Sequence, residues 1–250
     1  MNFGRQLNLV YRAWRYRLKV ERPEIAYLLR HVTRGQSVLD IGAHKGAYTY
    51  WMQKLVGPTG HVFAFEPQPE LARNLRELVA TPALRQVHVV EAAVSSKPGS
   101  LRLFRPSSQP SPGATLEFGR DLGPGESFSV QVESLDHFFA SAPGRPIHFI
   151  KCDVEGHELD AFHGAEKILR EDKPRLLFEC EPRHHANQSV SDVFDYLQGL
   201  GYTGSFFRRD LELPLAELSA DDQVDPRSPG YVNNFVFVPI GKTVASRKSA

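Results

Sequence analysis

Scarcity narrows the possibilities for this chain before any motif does. Its 250 residues hold two cysteines, Cys152 and Cys180, too few for a disulfide framework or a thiolate-rich metal site. Both fall inside apolar, strand-like runs, so buried free thiols are expected, as suits a reducing compartment. No apolar run approaches the roughly eighteen residues of a membrane span. The polar, arginine-rich start lacks the continuous apolar segment of a secretory signal, so a soluble cytoplasmic protein is expected. An excess of charge is missing as well. Thirty Lys and Arg against 29 Asp and Glu leave a net charge of +1, whereas nucleic-acid-binding surfaces carry a clear basic excess. The G-x-G-x-x-G fingerprint is also absent, which argues against an NAD-type oxidoreductase.

What is present suffices for a large core, at 41% hydrophobic residues, and one α/β domain with a small appendage is the economical reading. Its organising stretch is Ser37-Val38-Leu39-Asp40-Ile41-Gly42-Ala43-His44-Lys45-Gly46. Val38, Leu39 and Ile41 read as a buried parallel strand, and Gly42 and Gly46 as the turn into a helix, where backbone approaches a ligand. Asp40 then stands at the strand's C-terminal end, which in an open α/β sheet faces the ligand crevice. About twenty residues on, His61-Val62-Phe63-Ala64-Phe65 forms a second strand ending in Glu66-Pro67. A strand-terminal carboxylate accepts hydrogen bonds from both hydroxyls of a ribose. With glycines spaced unlike those of pyrophosphate-binding turns, a ribose-bearing cofactor without a pyrophosphate is expected: S-adenosylmethionine. His44 and Pro67 belong to the same candidate cofactor site. Glu91 and Ala92, just after the third strand Val87-His88-Val89-Val90, are expected at the adenine, with Glu91 taking its amino group.

Residues 1–35 form a leading segment in which Arg5, Arg12, Arg15, Arg17, Lys19 and Arg22 interleave with Tyr11, Trp14 and Tyr16, while Leu7, Val10, Trp14 and Leu18 recur at helical spacing. An amphipathic helix that packs on the domain and exposes its charges is expected, with peripheral membrane contact or partner docking as the alternative. The domain proper spans 36–240. Helices are expected over 24–32, 47–56 and 70–79. Lys97-Pro98-Gly99 reads as a hairpin turn returning through Leu101 to Phe104. Residues 105–127, rich in Ser, Pro and Gly, form a flexible loop or lid, and 241–250 a disordered tail.

Ile147 to Cys152 is a fourth buried strand, with Asp153-Val154-Glu155-Gly156-His157-Glu158 at its C-terminal end. A fifth, from Arg175, ends in Glu179 and Glu181 and is followed by His184-His185. Asp153, Glu155 and His157 are the candidate catalytic residues, with Asp153 first because it directly follows the strand; a carboxylate or imidazole within hydrogen-bond reach can act as a general base. Adjacent histidines on an extended segment point apart, so no metal site is expected.

Taken together, Val38-Leu39-Asp40-Ile41-Gly42-Ala43 with Gly46, Phe65-Glu66-Pro67, and above all Ile150-Lys151-Cys152-Asp153-Val154-Glu155-Gly156-His157-Glu158 resemble the FkbM family of S-adenosylmethionine-dependent methyltransferases. Gly164-Ala165 and Asn233-Asn234-Phe235 match the same pattern. The resemblance implies a Rossmann-like α/β fold with a mostly parallel seven-stranded sheet, an antiparallel edge strand and helices on both faces. It places Asp40, Gly42, Gly46 and Glu66 at the cofactor and Asp153 and Glu155 at the reaction face. It also implies O-methylation of a hydroxyl on a sugar, glycolipid or natural product, hence a small-molecule or glycan acceptor. A non-catalytic S-adenosylmethionine-binding interaction protein, or a methyltransferase of protein or nucleic acid, are the other readings. No Asn-Pro-Pro-aromatic segment of the kind found in many amino-group methyltransferases follows the fourth strand.

Overall fold

The apolar runs find their partners in a computed structural model that describes residues 3–80, 84–107, 109–111, 113–116, 123–184 and 189–241. In chain order the elements are α1 (Phe3–Arg15), a π-helical turn (Tyr16–Val20), α2 (Arg22–His31), β1 (Ser37–Ile41), α3 (Ala47–Val56), β2 (His61–Phe65), α4 (Pro69–Val79), β3 (Val87–Val90), β4 (Ala93–Val94), β5 (Gly99–Arg105) and β6 (Glu126–Glu133). They continue with α5 (Leu135–Ser141), β7 (Ile147–Cys152), α6 (Glu158–His163), α7 (Glu166–Glu171), β8 (Arg175–Glu179), α8 (Val190–Gly199), β9 (Tyr202–Arg208), β10 (Leu211–Pro214) and β11 (Asn234–Pro239).

Among the described residues the main sheet has eight strands, in the order β10-β9-β11-β8-β7-β1-β2-β3. β3, β2, β1, β7 and β8 run parallel. β11 inserts antiparallel between β8 and β9 rather than closing the edge; the antiparallel edge strand is β10. The chain leaves β1 for β2 and β3 on one side and returns to β7 and β8 on the other. β1 and β7 therefore mark the point where strand order reverses, and ligands of open α/β sheets bind beyond the C-terminal ends of such strands.

Helices cover both faces, which is why these strands read as continuous apolar runs. One core packs Leu39, Phe63, Ile150 and Phe178 with Leu135, Phe162 and Phe194. The other packs Val38, Val62, Phe149 and Leu177 with Ile25, Leu28, Trp51 and Met52. Cys152 and Cys180 are both buried, and neither is in a disulfide. Helix α3 spans the expected residues, and beyond β7 two short helices, α6 and α7, meet at Gly164-Ala165.

Two expectations for the peripheral parts are corrected. The strand from Gly99 does not return along the segment before it; β5 pairs antiparallel with β6, and β4 joins β6 from the other side in a separate three-stranded sheet. The leading helix does pack on the domain, through buried Ala13, but Leu7, Val10, Trp14 and Leu18 lie exposed on its outer side. Spacing reveals that a stripe exists, not which stripe the domain covers. Beyond Gly241 the expected disordered tail lies outside the described residues. Among the described residues no helix is long and apolar enough to cross a membrane.

Candidate active site

Beyond the C-terminal ends of β2, β1, β7 and β8 lies a cavity of about 260 Å³. Strands spaced about 4.8 Å apart put Glu66, after β2, and Glu179, ending β8, roughly 14 Å apart across it. Of the candidate cofactor residues, Asp40, Gly42, His44, Glu66, Pro67, Ala92 and Asp153 line the cavity.

At the β2 end, Glu66 is buried and oriented by its own loop. Its Oε2 accepts the His44 backbone N–H at 2.7 Å and its Oε1 that of Gln68 at 2.9 Å. Each oxygen keeps a further lone pair for a donor in the cavity. Burial pushes the carboxyl up to about 7, although those backbone donors pull the other way. Nearby, Asp40 accepts from Thr49 Oγ1 at 2.5 Å through Oδ2, while its buried Oδ1 has no hydrogen-bond partner among the described residues. The buried Nε2 of His44 has none either, and burial, then Lys45, lower its pKa to about 4, which keeps the ring neutral. Buried polar atoms are seldom left unpaired. Two that line the same cavity as an ordered carboxylate fit a polar, hydroxyl-bearing ligand.

The middle is set by Lys151. Its buried ammonium donates to Asp153 Oδ2 at 2.8 Å and lies 5.0 Å from the Tyr48 ring centre. Burial alone would lower its pKa, but Asp153, Asp40 and Glu21 outweigh it and hold the group protonated, above the ordinary lysine range. Glu21, from the leading segment, is tied to Tyr48 Oη. Gly42, at φ 75°, lets the two turns meet, because a Cβ there would lie 1.9 Å from the Asp153 carbonyl oxygen. Gly42 thus lines the cavity, as expected of a residue close to a ligand, and also admits the neighbouring loop.

At the β8 end, Glu155 adopts φ 54° and its Oε2 lies 2.9 Å from His184 Nδ1. Gly156 makes that approach feasible, since its Cβ would stand 2.2 Å from the His184 carbonyl oxygen. Burial, then Asp153 and Glu181, drive the Glu179 carboxyl upward. For its neighbour Glu181, burial is outweighed by hydrogen bonds from Arg183, Glu179 and Tyr231, and its pKa is lowered. Asn233 Nδ2 bridges the pair, 3.0 Å from Glu179 and 3.4 Å from Glu181.

Three candidates stand elsewhere. Glu91 turns away from the cavity and pairs with Arg76 at 2.6 Å, because the strand ends at Val90 and the next side chain points outward. His157 does not reach the reaction face: its ring is buried and its Nε2 lies 2.8 Å from Ser95 Oγ, a bond that joins the β7 loop to the small sheet. Gly46 lies just outside the lining, where its N–H bonds Ala43 O at 2.8 Å ahead of α3. His185 lies outside the described residues.

Other lining residues were not singled out by sequence. Arg12 and Tyr16 from the leading segment join Glu21 in the wall, fixed by Arg12 donating to Lys45 O at 3.0 Å and by the Trp51 indole donating to Ala13 O at 3.0 Å. The arginine–tyrosine interleaving of the leader was the only signal for them. Ser111 and Ala114, from the expected loop, line the cavity too. Ser111 exchanges two hydrogen bonds with the Gln68 side chain, at 2.9 and 3.0 Å. Thr115 donates to Glu155 O at 2.7 Å and pairs with Phe104. This segment is therefore tied to both ends of the cavity.

The chain is similar to several known proteins. The sequence model of the Methyltransferase FkbM domain matches residues 40–203. The hexuronic acid methyltransferase AglP of Haloferax volcanii is 28% identical over 158 residues, 63% of this chain and 62% of that protein. A protein-L-isoaspartate O-methyltransferase of Ignicoccus hospitalis is 37% identical over 68 residues, 26% of this chain and 32% of that protein. The chain thus spans less than two thirds of the length of either curated relative. The crystal structure of Methyltransferase FkbM from Methylobacillus flagellatus superposes with a TM-score of 0.52 at 14% identity, covering 94% of this chain and 54% of that one; at that identity the likeness is one of fold.

Proposed function

The chain belongs to the FkbM methyltransferase family, and we propose that it transfers a methyl group from S-adenosylmethionine to a hydroxyl of a sugar-type acceptor. The observation that carries this reading is one cavity with Glu66 at one end, Asp153 in the middle, and Glu155 and Glu179 at the other end. S-adenosylmethionine supplies an electrophilic methyl on a sulfonium whose departure leaves a neutral thioether.

In this reading Glu66 accepts from the ribose hydroxyls, while Asp40 Oδ1 and His44 Nε2 meet polar groups of the same ligand. Ala92, Ala93 and Val94 offer a small apolar wall for the adenine. Around the acceptor the chain has two tasks. One is to hold a hydroxyl oxygen in line at roughly 3–3.5 Å from the carbon it attacks. The other is to take its proton, which we assign to Asp153, oriented by Lys151. Glu155, backed by His184, positions the acceptor. Arg12, Tyr16 and Glu21 of the leading segment serve as part of the cavity wall, and Ser111, Ala114 and Thr115 as its cover. Support for a sugar acceptor is the likeness to a hexuronic acid methyltransferase over 63% of this chain.

The test is methyl transfer from S-adenosylmethionine carrying an isotopic methyl to three probes: hexuronic-acid oligosaccharides, neutral oligosaccharides and an isoaspartyl peptide. Labelled methyl ether on a saccharide supports the proposal. Methyl ester on the peptide alone, or no transfer to any saccharide, overturns the acceptor assignment.

A further inference from the structure

We propose that the outer face of helix α1 and the π-turn after it docks the protein on an anionic membrane surface. The domain covers one side of this helix through Ala13 and Arg12, with Tyr16 of the π-turn, and touches the margin of its outer side where Trp51 meets the Trp14 ring edge-on at 5.2 Å. On the opposite side Leu7, Val10, Tyr11 and Trp14 follow the i, i+3, i+4, i+7 spacing of a single helical stripe, and Leu18 and Val20 prolong it through the π-turn. These are large apolar side chains left in water, with Leu7 53%, Tyr11 70% and Leu18 60% exposed. A contiguous apolar patch of this kind marks an interaction surface.

Charge selects the occupant. Arg15 and Lys19, both exposed, flank the stripe, and Arg17 lies over the Trp14 and Trp51 rings. Between residues 1 and 20 there is no Asp or Glu, and the first acid, Glu21, faces inward on Tyr48. A basic amphipathic helix with aromatic rings on its apolar side is the pattern that lies in a lipid interface, its apolar side chains among acyl chains and its cations at anionic headgroups. A second copy of this chain fits less well. A two-fold interface sets each patch against itself, which here would oppose Arg15 and Lys19 to one another with no carboxylate between them. Because Arg12 and Tyr16 of the same segment wall the cavity, docking would bring membrane and cavity within about one helix diameter, roughly 10 Å.

The experiment is co-sedimentation of the full chain with phosphatidylcholine vesicles, with and without phosphatidylglycerol. Its comparison is a variant carrying Leu7→Ser, Tyr11→Ser and Leu18→Ser, side chains that line no part of the cavity. The wild type is expected to bind the anionic vesicles at least about tenfold more tightly than the neutral ones, and the variant to lose that binding while its melting temperature and S-adenosylmethionine affinity stay unchanged. No binding of the wild type to anionic vesicles overturns the proposal, as does a variant that binds them equally well. A concentration-dependent dimer abolished by the triple substitution, with no vesicle binding, assigns the face to a second copy instead.

Discussion

Asp40 and Lys151 stand opposite each other in the register of the two central strands, β1 and β7, both buried and of opposite charge. Lys151 reaches on to Asp153 at 2.8 Å, so one ammonium bonds the proposed base and acts on the first-strand carboxylate through its charge alone. Removing that ammonium strands three carboxylates, Asp40, Asp153 and Glu21, in a poorly solvated site. Lys151→Met is expected to destabilise the fold by about 3 kcal/mol. Asp153→Asn should do far less, because the amide oxygen still accepts from Lys151 while Asp40 and Glu21 still balance its charge. Its loss should appear in chemistry instead, about a hundredfold in kcat. Chemical denaturation and single-turnover methyl transfer on the two variants check the split; normal turnover by Asp153→Asn removes the base assignment.

A second expectation concerns pH. Burial raises Glu66 from 4.5 to about 7 in the folded chain. Between those values the folded chain holds a proton that the unfolded chain has released. The stabilisation Glu66 contributes is therefore complete below about pH 4.5 and is lost as pH rises to about 7. A ligand whose hydroxyls donate to Glu66 selects the ionised form and works in the opposite direction. S-adenosylmethionine should bind roughly thirtyfold more weakly at about pH 5.5 than on the plateau above pH 7. Titrations across this range on wild type and Glu66→Gln test the linkage, since the variant should lose the slope.

Glu66 and Asp153 were legible in sequence for one reason. An apolar strand with both faces covered can release its first acid only at its rim, and the spacing of β1, β2 and β7 sets these rims side by side. Glu91 was misplaced because alternation beyond Val90 could not show that the next side chain turns toward Arg76. Arg12, Tyr16 and Glu21 could not be assigned to the cavity from sequence, because which face of a leading helix is covered depends on contacts with α3, far along the chain. Lys151 was legible as part of a motif, but its pairing with Asp40 exists only once β1 and β7 are adjacent.

His157, though inside the most specific motif, should prove structural. With its ring hydrogen-bonded to Ser95 away from the cavity, His157→Ala is expected to cost about 1–3 kcal/mol in unfolding free energy while kcat stays near wild type. Equal losses of kcat at undiminished stability would return this residue to the reaction face.

The segment from Ser111 to Thr115 should affect both substrates, because Gln68 holds it beside Glu66 and the Glu155 carbonyl holds it at the other end. Gln68→Ala is expected to weaken S-adenosylmethionine binding severalfold, by about 1 kcal/mol. Thr115→Val should act chiefly on the KM for the acceptor. Calorimetry and steady-state kinetics separate the two, and a Gln68→Ala variant with wild-type affinity would show that the segment does not brace the cofactor end.

The measurement that bears most directly on the whole account is calorimetric titration of the wild type and Glu66→Ala with S-adenosylmethionine, S-adenosylhomocysteine and NAD. Both sulfur nucleosides are expected to bind the wild type in the micromolar range, and NAD not measurably. Glu66→Ala, having lost a charged acceptor worth about 1.5–3 kcal/mol, is expected to bind the two nucleosides at least about tenfold more weakly. Undiminished binding to Glu66→Ala, or a wild type that takes NAD in preference to S-adenosylmethionine, would contradict it.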